Sequence, residues 1–164
     1  MADPRRDSSA PPPSLTGGRI LVVEARFYET IGAMLMEGAR RAIAAAGATL
    51  DVVTVPGALE IPIAAAIVLD NAAATGRPYD GVVALGCVIR GETFHFEIVA
   101  GESSRSLIDL AVARGLPLGN GILTVENEPQ AVARADPDQG DKGGDAARAA
   151  MTLAALKRKL SAKR

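Results

Sequence analysis

Short β-branched runs alternate along this chain with alanine-rich segments of helical period, and that alternation restricts the fold more than any other feature. Arg19 to Glu24 (RILVVE) reads as a strand. Ile31, Leu35, Gly38, Ala39, Ala42, Ile43 and Ala46 then recur at helical spacing until Gly47 stops them. Leu50 to Val55 is a second strand, closed by Pro56-Gly57. Leu59 to Ala74 follows as a helix, with Pro62 tolerated because it lies in the first turn. Gly81 to Leu85 is a third strand, Phe94 to Arg114 a third helix, and Leu116 to Thr124 a fourth strand. Asn127 reads as an N-cap, with Gln130 completing a capping box, for a short helix that ends at Ala135. A loop over 136–144 precedes a last helix ending in Lys157-Arg158-Lys159.

Repeated strand–helix units demand parallel strands joined by right-handed crossovers, with helices on both faces. The predicted fold is therefore α/β, a three-layer α/β/α sandwich around a four-stranded parallel sheet. Strands two to four are near-continuous apolar runs, as expected where both sheet faces are covered. Ligands of such sheets gather beyond the carboxyl ends of the strands. That rule selects residues 26–28, 56–60, 86–95 and 119–127.

Composition narrows the function. The 164 residues fit one domain, and 48% hydrophobic content supplies one full core. Lys+Arg 18 against Asp+Glu 19 leaves no basic excess to neutralise a nucleic-acid backbone. One cysteine, Cys87, excludes an internal disulfide framework and suits a reducing cytoplasm, and with one histidine, His95, it leaves no ordinary Cys/His zinc site. Residues 1–18 contain no apolar run, so they lack the centre of a secretory signal. They read as a proline-rich disordered or extended arm ahead of a domain over 19–164. No apolar stretch approaches the ~20 residues of a membrane span.

The strongest local signal is Val88-Ile89-Arg90-Gly91-Glu92-Thr93-Phe94-His95, a strand running through a glycine into a helix start. Free N–H groups and the positive end of the helix dipole suit a phosphate there, with Thr93 adding a hydroxyl and Glu92 contributing only backbone. The same residues also suit an ordinary turn capped by Thr93. His95, the one imidazole of the chain, stands at that helix start and is either a proton shuttle or a surface residue. Phe27, in a chain with only three Phe, two Tyr and no Trp, either stacks on a planar ring or fills the core. Glu60 either accepts from ligand hydroxyls or simply favours a helix N-terminus. Arg134 and Lys142 read as solvated charges, and Cys87 as a small apolar residue in a strand.

Taken in order, these segments resemble the lumazine synthase family over nearly the whole span from Arg19 to about Leu160. The matching stretches are Arg26-Phe27-Tyr28, residues 55–62 (VPGALEIP), residues 85–96 (LGCVIRGETFHF), residues 120–127 (NGILTVEN), and Arg134 with Lys142-Gly143. The resemblance implies the sandwich in its flavodoxin-like form, with room for an extra N-terminal strand contributed to a neighbouring subunit. It implies condensation of 5-amino-6-ribitylaminouracil with 3,4-dihydroxy-2-butanone 4-phosphate to 6,7-dimethyl-8-ribityllumazine, inorganic phosphate and water, without metal or organic cofactor.

By the same resemblance Phe27 stacks on the pyrimidine ring, and Ala58, Leu59 and Glu60 hold the ribityl chain. Val88 and Ile89 meet the ring edge, Gly91, Glu92 and Thr93 bind the phosphate, and His95 transfers protons. Asn120, Arg134 and Lys142 come from the next subunit of a homopentamer, which in some members builds a larger shell. Leu59 and Asn120 stand where many members carry phenylalanine, which implies looser packing on the ring. A non-catalytic flavin or lumazine binder would not need His95 together with Arg134. A receiver-type regulatory domain would need clustered carboxylates after the first strand, where Arg26 and Phe27 stand instead; a phosphosugar isomerase of the same architecture differs in its site residues.

Overall fold

The computed structural model describes residues 13–163. Four strands form one all-parallel sheet in the order β2-β1-β3-β4: β1 (Arg19–Ala25), β2 (Thr49–Val55), β3 (Gly81–Ile89) and β4 (Leu118–Val125). The helices are α1 (Glu29–Ala45), α2 (Glu60–Ala74), α3 (His95–Arg114), α4 (Glu128–Ala135) and α5 (Lys142–Ser161). The expected α/β sandwich is the fold observed. Alternate residues of β1 feed two cores. Ile20 and Val22 pack with α1, α4 and α5 on one face, while Leu21 and Val23 pack with α2 and α3 on the other. Among the described residues no helix is long and apolar enough to cross a membrane.

Residues 1–12 of the predicted arm, and with them most of any extra N-terminal strand, lie outside the described residues. Leu15 is packed against the domain: it is 1% exposed, and its N–H donates to the Ala46 carbonyl at 2.9 Å.

Four local expectations are corrected. β3 does not end at Leu85 but continues to Ile89, because β4 keeps pairing with it through Gly86↔Ile122, Cys87↔Leu123, Val88↔Thr124 and Ile89↔Val125. β2, an apolar run in sequence, is half exposed, because among the described residues it is an edge strand paired with β1 alone. The loop after α4 ends at Asp141, not at 144. Asp141, held at φ 44, caps α5 by accepting from the Gly144 N–H at 3.2 Å. The capping box at α4 is also rearranged. Asn127 Oδ1 accepts from the Gln130 N–H at 3.0 Å as expected, but Gln130 Oε1 accepts from the N–H of Glu126, not of Asn127, at 2.9 Å.

Gly143 therefore sits inside the first turn of α5, and its use is close approach. A Cβ there would overlap the Leu35 carbonyl of α1. In an exposed helix Gly→Ala stabilises by roughly 0.5–1 kcal/mol. Here the sign reverses: Gly143→Ala should lower unfolding free energy by roughly 1–3 kcal/mol through overpacking. Urea denaturation at matched protein concentration measures it, and a gain in stability would mean the two helices can part without loss.

Candidate active site

β1 and β3 are neighbours, yet the chain leaves β1 for α1 on one face and β3 for α3 on the other. A crevice opens beyond their carboxyl ends, as it does at the switch point of any doubly wound sheet. The crevice is a cleft of about 440 Å³. Phe27 and Tyr28 approach it from the β1–α1 turn, Gly57 to Glu60 from the start of α2, and Cys87 to Ile89 from the end of β3. Gly91, Thr93, His95, Phe96 and Val99 complete it from the β3–α3 turn and the first turns of α3.

Phe27 is 72% exposed, which excludes the core role, and its ring meets Tyr28 edge-on with centroids 5.1 Å apart. Ala58 is buried, Leu59 half-buried, and Glu60 exposed as the first residue of α2. Val88 and Ile89 are half-buried at the tip of β3. His95 is the exposed first residue of α3. No side chain caps that helix at Phe94, so Thr93 is not the cap; the Glu97 N–H donates to the Phe94 carbonyl at 3.1 Å, which leaves the N–H groups of His95 and Phe96 as the uncapped donors of the first turn. Glu92 lies in the same turn but does not line the cleft.

Three expected residues lie elsewhere on the chain. Asn120 pairs in register with Ala84, well down the sheet; its Oδ1 accepts from the Ile122 N–H at 3.0 Å and its Nδ2 donates to Ser104 at 3.3 Å. Arg134, in the last turn of α4, donates to the Gln130 carbonyl at 3.0 Å. Lys142, first in α5, pairs with Asp145 at 3.2 Å. Tyr28, Gly57, Cys87, Phe96 and Val99 line the cleft without having been singled out as site residues. Phe96 and Val99 repeat at helical spacing beside His95, a signal that was present in the sequence.

Among the described residues no lysine or arginine lines the cleft. The two nearest by sequence are already engaged. Arg26 pairs with Glu24 at 2.8 Å and Glu29 at 2.6 Å. Arg90 pairs with Glu97 and, at 2.8 Å, with Glu126, and its guanidinium lies 4.2 Å from the Phe96 ring centre. Burial pushes the Cys87 thiol up to about 11, so it is not a nucleophile at neutral pH. Burial likewise raises the Tyr28 phenol.

An open parallel sheet with an aromatic-rimmed cleft and one histidine at its switch point defines an α/β protein with an enzyme-type small-molecule site. Residues 17–158 match the family model described as 6,7-dimethyl-8-ribityllumazine synthase. The chain is 60% identical over 161 residues to the 6,7-dimethyl-8-ribityllumazine synthase of Rhodopseudomonas palustris (strain BisA53), covering 98% of this chain and 99% of that one. With the protein of the same name from Methylobacterium sp. (strain 4-46) the identity is 63% over 164 residues, covering 100% and 91%. The chain belongs to the 6,7-dimethyl-8-ribityllumazine synthase family, transferases of riboflavin biosynthesis.

The raised Cys87 pKa has a direct readout. A thiol that ionises later has less thiolate at any given pH, so native Cys87 should react with iodoacetamide more slowly than in the unfolded chain at pH 7–9. Its rate should still be climbing at pH 10, where the unfolded thiol has levelled. Mass spectrometry of the alkylated protein follows it, and equal native and unfolded rates would refute the shift.

Proposed function

We propose that this chain condenses 5-amino-6-ribitylaminouracil with 3,4-dihydroxy-2-butanone 4-phosphate in the cleft between β1 and β3, releasing 6,7-dimethyl-8-ribityllumazine, inorganic phosphate and water. The observation that carries the reading is the convergence of Phe27, the wall of Ala58, Leu59 and Glu60, the tip of β3 at Val88 and Ile89, and His95 on one cleft. Phe27 offers an exposed ring face to the pyrimidine, and Glu60 an acceptor to the ribityl hydroxyls. Gly91, Glu92 and Thr93 present the uncapped start of α3 to the phosphate.

The chemistry asks little of the protein. The substrate amine attacks the ketone, and water leaves to give an imine. Phosphate is then eliminated, and ring closure expels water again. Nucleophile and leaving group both belong to the substrates, so orientation and one proton carrier, His95, suffice without a cofactor.

A doubly charged phosphate needs a cation, and none of the described residues lining the cleft supplies one. Arg134 and Lys142, with Asn120, therefore reach the cleft from the next subunit of a homopentamer, itself able to build larger shells. Ile63, Ile67, Ile108 and Val112 on α2 and α3 are exposed apolar residues of the kind a neighbour covers. The lone, unpaired Cys87 agrees with work in the cytoplasm.

His95→Ala should slow turnover by about a hundredfold or less while substrate binding holds, because orientation supplies much of the acceleration. An unchanged rate would remove His95 from the mechanism.

The shared site has its own test. His95→Ala and Arg134→Ala chains, refolded together in equal amounts, should regain about a quarter of wild-type activity, since that fraction of boundaries joins an intact His95 to an intact Arg134. Activity no higher than that of either mutant alone, in rings shown to be mixed, would confine the site to one subunit.

A further inference from the structure

The turn that carries Phe27 has little of its own to hold it. Phe27 is 72% exposed, and Tyr28 makes no side-chain cap on α1. What anchors the turn lies beneath it. Glu24 is the one carboxylate in the apolar β1 and is only 5% exposed. Its two oxygens serve different walls of the cleft. One accepts from Arg26 Nε at 2.8 Å, and Arg26 directly precedes Phe27. The other accepts from Thr54 Oγ1 at 3.0 Å, on the β2 end that leads through 55–58 to Leu59 and Glu60. Arg26 also donates through its terminal nitrogen to Glu29, the first residue of α1, at 2.6 Å. Its stem crosses α1 where a side chain would obstruct it: a Cβ on Gly32 would lie 2.7 Å from Arg26 Cδ.

A buried ion pair is a weak source of stability, since apolar residues of similar volume often serve a core as well or better. What a guanidinium fork on two carboxylates supplies is fixed orientation. We infer that Glu24 and Arg26 are positioning residues for the condensation, holding the Phe27 turn in register with the Leu59 and Glu60 wall so that the ribitylaminouracil ring meets a stacking face already formed. This rests on the reaction proposed above. Both residues act through Phe27.

The test is steady-state kinetics of Arg26→Met, Arg26→Lys and Thr54→Val, each alone and combined with Phe27→Ala, well below the thermal midpoint of every variant. Arg26→Met should raise KM for the ribitylaminouracil about tenfold, as loss of orientation does, while KM for the butanone phosphate moves less than about twofold. Arg26→Lys keeps the charge but loses the fork, and should recover only part of the loss. Thr54→Val, an exposed substitution that removes only the β2 arm, should raise the same constant about threefold. In Phe27→Ala chains these changes should add less than about twofold, because the ring they position is gone. A merely structural role would spread the loss over both substrates and kcat and act equally with or without Phe27. That pattern, or unchanged KM values, overturns the inference. If Arg26→Met does not fold, Thr54→Val decides by the same split. An inactive wild-type chain would sink the reaction itself, whereas an active wild type with unaltered variants sinks only the positioning role.

Discussion

Everything at the cleft follows from one constraint: two hydrogen-bonded parallel strands, β1 and β3, send their chains to opposite faces of the sheet. A right-handed crossover fixes which face each connection takes, so the gap between the departing turns is a product of topology and not of loop sequence. Sequence then decides what fills the gap. An aromatic comes off β1, small and apolar residues come off β2, and a glycine-containing turn off β3 delivers a helix start and its histidine. The core beneath is alternation in β1, whose odd and even residues bind the two helical layers to one sheet.

Much of this was legible in the sequence because it depends on period and residue type. The 3.6-residue spacing of Ile31, Leu35, Ala39 and Ile43 is α1, and Phe27 and His95 were visible as rare residue types just past strand ends. What stayed illegible depends on partners distant in the chain. Gly86 looks like a stop until β4 is seen to pair past it. Gly143 looks like loop until α1 is found too close for a side chain, and Gly144 until the Asp141 cap is found against it. The edge position of β2 is a matter of strand order, which alternation within one strand does not encode. Cys87 and Val99 line the cleft because of where β3 ends and how α3 leans over it, neither of which composition reports.

The charges around the cleft follow a division of labour. The two arginines nearest the cleft in sequence are consumed in holding turns: Arg26 under the Phe27 turn, Arg90 between α3 and the end of β4. The cleft itself keeps an uncapped helix start, a carboxylate and an imidazole. An arginine already paired attracts an anion less than a free one, and the carboxylates paired with Arg26 and Arg90 repel it less than free ones would.

The contact between Gly143 and the Leu35 backbone also orders the making of the molecule. α1 is among the earliest elements and α5 is the last described, and together they close one face over β1 and β3. During synthesis the apolar stripe of α1, with Leu35, Ala39 and Ile43, has no α5 to lie against until that helix has emerged. Contacts of such long sequence separation form late and slowly. The nascent chain thus carries an open hydrophobic seam through most of its translation, a window in which a chaperone has something to hold.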